Sequence, residues 1–191
     1  MDVVKKYTGE IVSPDDIVAL AESVVAISQG RAILPGTVKP GWLARFLCRF
    51  PGKDGSLATP PAMQLAIEEA GKPRIILGAI AAGLGRLVGR RGDFYRVAGR
   101  HLAQIDDVAG TMWPFERHII LGPKDPQAIV RKIKQAVGAE AVIADVNDAG
   151  NVDILAATDG IKREEIIRHL KDNPFGNDDQ QTPIVILVSK T

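Results

Sequence analysis

The stretch of sequence that decides the fold reads AVIADVNDAGNVDILA and covers residues 141–156. Two apolar runs, residues 141–145 and 152–156, are separated by the turn-forming residues 147–151, a pattern typical of a β-hairpin. Residues 125–138 precede it, with Asp125-Pro126 at the start, apolar residues at helical spacing and Gly138 at the end. These features predict a helix that leads into an antiparallel pair of strands.

The rest of the chain alternates predicted helices and strands. Thr59-Pro60-Pro61 predicts the start of a helix that Gly71 ends, and residues 162–171 predict another. Ser13-Pro14 predicts a helix that runs to about residue 22. Apolar runs predict strands at residues 23–28, 74–80, 93–98, 117–121 and 184–188. We therefore expect a mixed α/β fold over residues 1–191, a single domain whose mixed sheet combines hairpins with helical crossovers.

The composition excludes several classes of protein. The net charge of +1 gives no global attraction to nucleic acid or to an anionic membrane, and the aromatic content of 5% argues against base-stacking surfaces. The most apolar run, residues 75–82, is much shorter than the ~20 residues of a membrane-spanning helix. Cys48 is the one cysteine, so no internal disulfide can form. We expect a soluble cytoplasmic protein without nucleic-acid or membrane partners.

A segment rich in glycine and arginine occupies residues 83–92, with Arg86, Arg90 and Arg91 among its glycines. Glycines let backbone N–H groups approach an anion, and guanidinium groups bind phosphate oxygens in a fork. The Gly-Lys-Ser/Thr sequence that closes a P-loop does not follow. Two interpretations stay open: a phosphate- or anion-binding segment, or a tight solvated connection between two strands.

Carboxylates recur near apolar runs, at Asp106, Asp145 and Asp179. Hard divalent cations prefer such oxygen ligands, although aspartates in turns are more often caps. The three histidines lack the spacing of metal ligands, which argues against a structural zinc site. The residues alone therefore predict no more than a pocket for a metal and a phosphate.

Four short motifs follow one another in a fixed order along the chain. They are VVAISQGR at residues 24–31, AQID at 103–106, ADVN at 144–147 and NDDQQTPIVIL at 177–187. In this order and spacing the chain resembles the coenzyme F-420 gamma-glutamyl ligase family, of which it would be a short, divergent member. That family adds glutamate to a deazaflavin cofactor precursor.

The resemblance implies an F-420-ligase-like domain in an intertwined homodimer, with GTP as substrate and a divalent metal, manganese or magnesium. It implies Asp106 and Asp145 as metal ligands, with Asp179 and Gln180 as weaker candidates. The residues expected at the nucleotide phosphates are Ser28, Gly30, Arg31, Arg86, Arg90 and Arg91. Asn147, from the third motif, is expected near the site.

The implied reaction is the GTP-dependent addition of L-glutamate to a small-molecule carboxylate through an acyl phosphate. The chain departs from the family at Gln29, where the family has lysine, and at residues 148–153, which replace two arginine-containing segments. The alternative is a non-catalytic ligand-binding or sensor protein of the same fold. A structural oligomer whose carboxylates all act as caps is a third possibility.

We expect the protein to be a dimer in solution. The resemblance implies this assembly, and Trp42, Phe46 and Trp113 are large apolar side chains that a partner could cover. Light scattering at micromolar concentration should give twice the mass of the chain, whereas a monomer would contradict the expectation.

Overall fold

The computed structural model describes residues 1–51, 56–107, 113–147, 149–176 and 181–189. The chain divides into two compact units. We call residues 1–29 and 123–191 the sheet unit, and residues 30–122 the helical unit. The single domain over residues 1–191 stays a prediction, because a compact unit need not fold on its own.

In chain order, the helices and strands are α1 (Asp2–Thr8), β1 (Ile17–Ala21), α2 (Glu22–Ser28), β2 (Ala32–Ile33), α3 (Trp42–Leu47), α4 (Pro60–Ala70), α5 (Lys72–Leu87), α6 (Asp93–Ala98), β3 (Ile119–Ile120), α7 (Pro126–Val137), β4 (Glu140–Val146), β5 (Val152–Ala157), α8 (Arg163–Leu170) and β6 (Ile184–Leu187). None of the helices in the described ranges is long and apolar enough to cross a membrane.

The sheet unit contains a four-stranded mixed sheet in the order β5-β4-β1-β6. β4 runs parallel to β1, whereas β6 and β5 are antiparallel to their neighbours. The predicted mixed α/β class, the mixed sheet and the β4–β5 hairpin are confirmed. The helices α7 and α8 also lie close to their predicted places.

Both faces of this sheet are buried, which explains the continuous apolar runs of its central strands. On one face, Val18 and Ile143 pack in a cluster with Val130 and Ile133 of α7. On the other face, Ala19 and Val142 pack with Ile166 and Leu170 of α8. Successive residues of a strand point to opposite faces, so one run of apolar residues supplies both cores.

The helical unit has a core of its own, to which α3, α4 and α5 contribute Leu43, Met63 and Ile75. The predicted start of α4 is confirmed, because the Thr59 hydroxyl accepts a hydrogen bond from the Ala62 N–H at 3.4 Å. Trp42 and Phe46 lie in the short helix α3.

Four of the predicted elements are wrong. Residues 23–28, 74–80 and 93–98 form helices α2, α5 and α6 instead of strands. In α5, Ile75 and Gly78 are buried, whereas Ile76, Leu77 and Ile80 are exposed. Residues three apart lie on the same face of a helix but on opposite faces of a strand, so this burial pattern fits a helix. The helix predicted from Ser13 does not form, because the Asp16 carboxylate accepts the Ser13 N–H in a turn that leads into β1. The strand predicted at residues 117–121 shortens to β3.

The helices α5 and α6 approach each other closely at Gly78, which has no side chain. We predict that a larger residue there destabilises the helical unit. A Cβ at this position would lie 2.8 Å from the Ala98 Cβ and 3.1 Å from the Phe94 carbonyl oxygen. Gly78→Val should lower the free energy of unfolding by about 1–3 kcal/mol. The matched control Gly83→Val lies on the same helix in open space and should change it by about 0.5 kcal/mol or less. Urea denaturation of both variants measures the difference, and equal effects would contradict the packing argument.

Candidate functional site

Two carboxylates face each other across the β4–β5 hairpin. Asp145 of β4 and Asp153 of β5 are partners in register, and both residues are exposed. Side chains of such partners lie on one face of the sheet, with Cβ atoms about 4.5–5.5 Å apart. The register shifts between Ile143 and Ala144, where β5 contributes one extra residue, Leu155. This irregularity sets which β5 side chains share a face with Asp145.

The surroundings of Asp145 raise its affinity for a proton. Desolvation is the main cause that raises the pKa of Asp145, and the negative charge of Asp153 raises it further. Asp145 keeps access to solvent, so an ion from solution can reach it. A bound proton or a cation would relieve the repulsion, and the pair is therefore a candidate cation site.

Asn147 holds the turn of the same hairpin. Its side-chain oxygen accepts the Asn151 N–H at 3.1 Å, and its own N–H donates to the Asn151 carbonyl oxygen at 3.1 Å. Gly150, with φ +76°, donates its N–H to the Asn147 carbonyl oxygen. Asn147 therefore closes the turn that keeps the two carboxylate-bearing strands in register.

The other expected metal ligands are Asp106, Asp179 and Gln180. Asp106 belongs to the helical unit, where its backbone pairs with Ile120 beside β3. Asp179 and Gln180 lie outside the described residues. Within the described ranges, no three His, Cys, Asp or Glu side chains form a group that could hold a metal. The joint role of Asp106 and Asp145 stays a prediction.

Two residues expected at the nucleotide, Ser28 and Arg31, have other partners. Ser28 donates its hydroxyl hydrogen to the Val25 carbonyl oxygen at 2.7 Å, at the end of α2. The buried Arg31 donates from Nε to the Gly122 carbonyl oxygen at 2.5 Å and forms an ion pair with Glu69 at 2.7 Å. Gly30 turns the chain before Arg31 with φ +71°. The contacts of Ser28 and Arg31 are structural. They leave few N–H donors of the Arg31 guanidinium available to a phosphate.

The glycine- and arginine-rich segment is not a connection between two strands, because α5 extends through it to Leu87. The N–H groups of Val88, Gly89 and Arg90 donate to the carbonyl oxygens of Gly85 and Arg86. A helix C-terminus also carries partial negative charge. The N–H groups of residues 88–90 are therefore already used within the chain, and the arginine side chains are the main candidates for binding an anion.

These arginines border a cavity of about 1080 Å³ in the helical unit. Its floor is apolar and buried, with Leu43, Leu47, Leu57 and Met63, and α5 and α6 supply further walls. Trp42, Phe46 and Phe50 line it as well. The cavity was not predicted from the sequence, although the spacing of these three aromatic residues by four indicates a shared helical face.

The dimer stays a prediction. Its three proposed contact residues are exposed in the single chain, Trp42 at 77%, Phe46 at 50% and Trp113 at 73%.

Comparison with models of known protein families and with curated protein sequences gives no match. The class of protein defined by the described residues is thus a mixed α/β protein with a carboxylate pair on its sheet unit and an apolar cavity in its helical unit.

We predict that Asp145→Asn stabilises the metal-free protein at neutral pH. Below the ordinary pKa of aspartate, about 3.9, the group is protonated in both the folded and the unfolded state. As the pH rises through the raised pKa of Asp145, the folded state gains a charge beside Asp153 and loses stability. At pH ~7 the variant should be more stable by about 0.2–1 kcal/mol, the usual size of a cross-strand pair.

Denaturation in EDTA across the acid-to-neutral range measures this difference, which should shrink towards acid pH. The exposed Asp159 of the same unit provides the control, since Asp159→Asn should show no such trend. A wild-type protein that is more stable than Asp145→Asn at neutral pH would overturn the assignment of repulsion.

Proposed function

We propose that the protein is a metal- and nucleotide-dependent amide ligase that joins L-glutamate to a small-molecule carboxylate, such as a deazaflavin cofactor precursor. The observation that carries this proposal is the pair of facing carboxylates, Asp145 and Asp153. One of them lies in the ADVN motif that resembles the ligase family, and the other supplies a second oxygen ligand that the resemblance did not include.

A divalent cation suits this pair in charge and in chemistry. Mg²⁺ and Mn²⁺ prefer carboxylate oxygens and are commonly held by one or two carboxylates together with substrate phosphates. The sheet unit is acidic overall, with 11 Lys and Arg against 16 Asp and Glu, net −5. When bound, the metal would supply charge neutralisation at the nucleotide phosphates. Asp145 and Asp153 would hold and orient it.

The reaction proceeds in two displacements. An oxygen of the substrate carboxylate attacks the γ-phosphorus of GTP, the bond to the β-phosphate oxygen breaks, and GDP leaves. The glutamate amine then attacks the acyl carbon, inorganic phosphate leaves with the electron pair of the broken C–O bond, and the amine loses a proton to water. Positioning and electrostatic stabilisation supply most of the acceleration in phosphoryl transfer.

The second candidate function is non-catalytic binding by the same fold, and a specific observation favours it. The Arg31 guanidinium is committed to Glu69 and Gly122, and the N–H groups at residues 88–90 are committed to α5. Two of the expected phosphate-binding features therefore have structural roles. A binding protein needs to hold the cation and its ligand but carries out neither displacement.

We predict that Mn²⁺ binds to the wild-type protein and that Asp145→Asn and Asp153→Asn each weaken this binding about tenfold or more, as loss of a ligand should. Isothermal titration calorimetry measures the affinities, with Asp159→Asn as the charge-matched control. A cation that binds the folded state also raises the melting temperature, and this shift should be lost in both variants.

GTP distinguishes the two candidate functions. For a ligase, GTP should raise the melting temperature further in the presence of Mn²⁺, and added glutamate and a carboxylate substrate should release inorganic phosphate. Binding of Mn²⁺ and GTP without phosphate release for any carboxylate tried would favour the binding protein. Mn²⁺ affinities that are unchanged in both Asp variants would contradict both candidates.

A further inference from the structure

The cavity of the helical unit combines a buried apolar floor with exposed apolar walls. Leu57 and Met63 at the floor are 1% and 2% exposed, whereas Trp42, Ile76 and Ile80 at the walls are all more than 40% exposed. Its volume of about 1080 Å³ is slightly above the range of about 300–1,000 Å³ for small-molecule sites. An apolar surface of this extent is stabilised when an apolar ligand replaces water.

The charge around the cavity is positive. The helical unit contains 13 Lys and Arg against 7 Asp and Glu, net +6. The near-neutral charge of the whole chain is therefore the sum of two units with net charges of opposite sign. Over residues 70–105 the sequence has seven Lys and Arg and one acidic residue, Asp93. An anion would therefore be attracted to this unit and a cation repelled from it.

The arginines at the rim differ in what they already bind. Asp93 accepts from Arg90 at 3.3 Å and from Arg96 at 2.7 Å, so one carboxylate is shared by two guanidinium groups. Arg86 donates to the Phe50 carbonyl oxygen at 2.9 Å. Arg91 is exposed and has no ion-pair partner among the described residues. The rim thus keeps an excess of positive charge beside an apolar interior.

We propose that this cavity binds a single-chain amphiphile, with its hydrocarbon chain between α3 and α5 and its anionic carboxylate or phosphate group at Arg90 and Arg91. The pairing of one apolar compartment with one cationic rim matches the two parts of such a molecule. A nucleoside triphosphate matches it less well, because its ribose and phosphates would lie against leucine and phenylalanine side chains. This inference is independent of the proposed ligase chemistry, which rests on Asp145 and Asp153.

Tryptophan fluorescence provides a direct assay. The chain has two tryptophans, and Trp113 does not line the cavity. In the Trp113→Phe protein, titration with saturated fatty acids from octanoate to palmitate below their critical micelle concentrations should change the Trp42 emission. The affinity should rise by about fourfold for each added methylene, the equivalent of about 0.8 kcal/mol, until the cavity is full.

Two pairs of variants test the two parts of the site. Arg91→Gln should weaken binding of the fatty acid by about two- to fivefold, as expected for an exposed ion pair, and should leave binding of the matching alcohol unchanged. Arg74→Gln, an exposed arginine of α5 outside the cavity lining, is the control. Gly83→Phe should fill the cavity and shorten the longest chain that binds, whereas Gly36→Phe, at another open position outside the lining, should not.

Several results would overturn the proposal. Affinity that does not depend on chain length would exclude the apolar compartment, and equal binding of acid and alcohol would exclude the cationic rim. Binding to anionic phospholipid vesicles without binding of monomeric fatty acids would assign this face to a membrane surface. Displacement of the fatty acid by GTP, with an affinity that depends on Arg91, would show that these arginines bind the nucleotide instead. Burial of Trp42 in a dimer without ligand would assign the cavity to a second copy of the chain.

Discussion

The parallel pairing of β1 with β4 is the interaction on which the sheet unit depends. It joins residues 17–21 to residues 140–144, and both strands contribute to the clusters on both faces of the sheet. β6 pairs with the free side of β1, and β5 pairs with the free side of β4, so the order of the whole sheet follows from this one contact. The helical unit lies entirely within the connection between the two strands. Closing such a long connection costs little more than closing a shorter one, because the entropy cost rises only with the logarithm of loop length.

Elements with signals at both ends could be predicted from the sequence, whereas three of the five strands predicted from apolar runs alone form helices. α4 and α7 have proline at the start and glycine after the end, and the β4–β5 hairpin has a turn rich in Asn, Asp and Gly. Residues 74–80 carry no such signal inside the run, and a short apolar run is compatible with either a strand or a helix that is partly buried. There the packing of Gly78 against Ala98 favours the helix, and a local window of sequence contains no sign of this contact between separate elements.

In the candidate site, too, some residues could be predicted from the sequence and others could not. Asp145 could be found from the sequence because it follows an apolar run, but Asp153 becomes its neighbour only through the register and bulge of the hairpin. Arg31 resembles a phosphate ligand in the sequence, but its carboxylate partner is Glu69, 38 residues further along the chain. The glycines of α5 resemble a phosphate loop, yet Gly78 and Gly85 allow close approach of α6 residues, Gly85 beside the Asp93 carboxylate. Spacing along a chain indicates which residues could act together, and long-range contacts decide which ones do.

Because the sheet unit is split around the helical unit, its two central strands are synthesised far apart in time. The apolar residues of β1 leave the ribosome before their parallel partner, residues 140–146, has been synthesised. At about 5–20 residues per second, that interval lasts about 6–24 s. All core residues of the helical unit are synthesised within it. The nascent chain therefore carries one unpaired apolar segment throughout the synthesis of the helical unit, and a chaperone that binds Ile17–Ala21 would act in that interval.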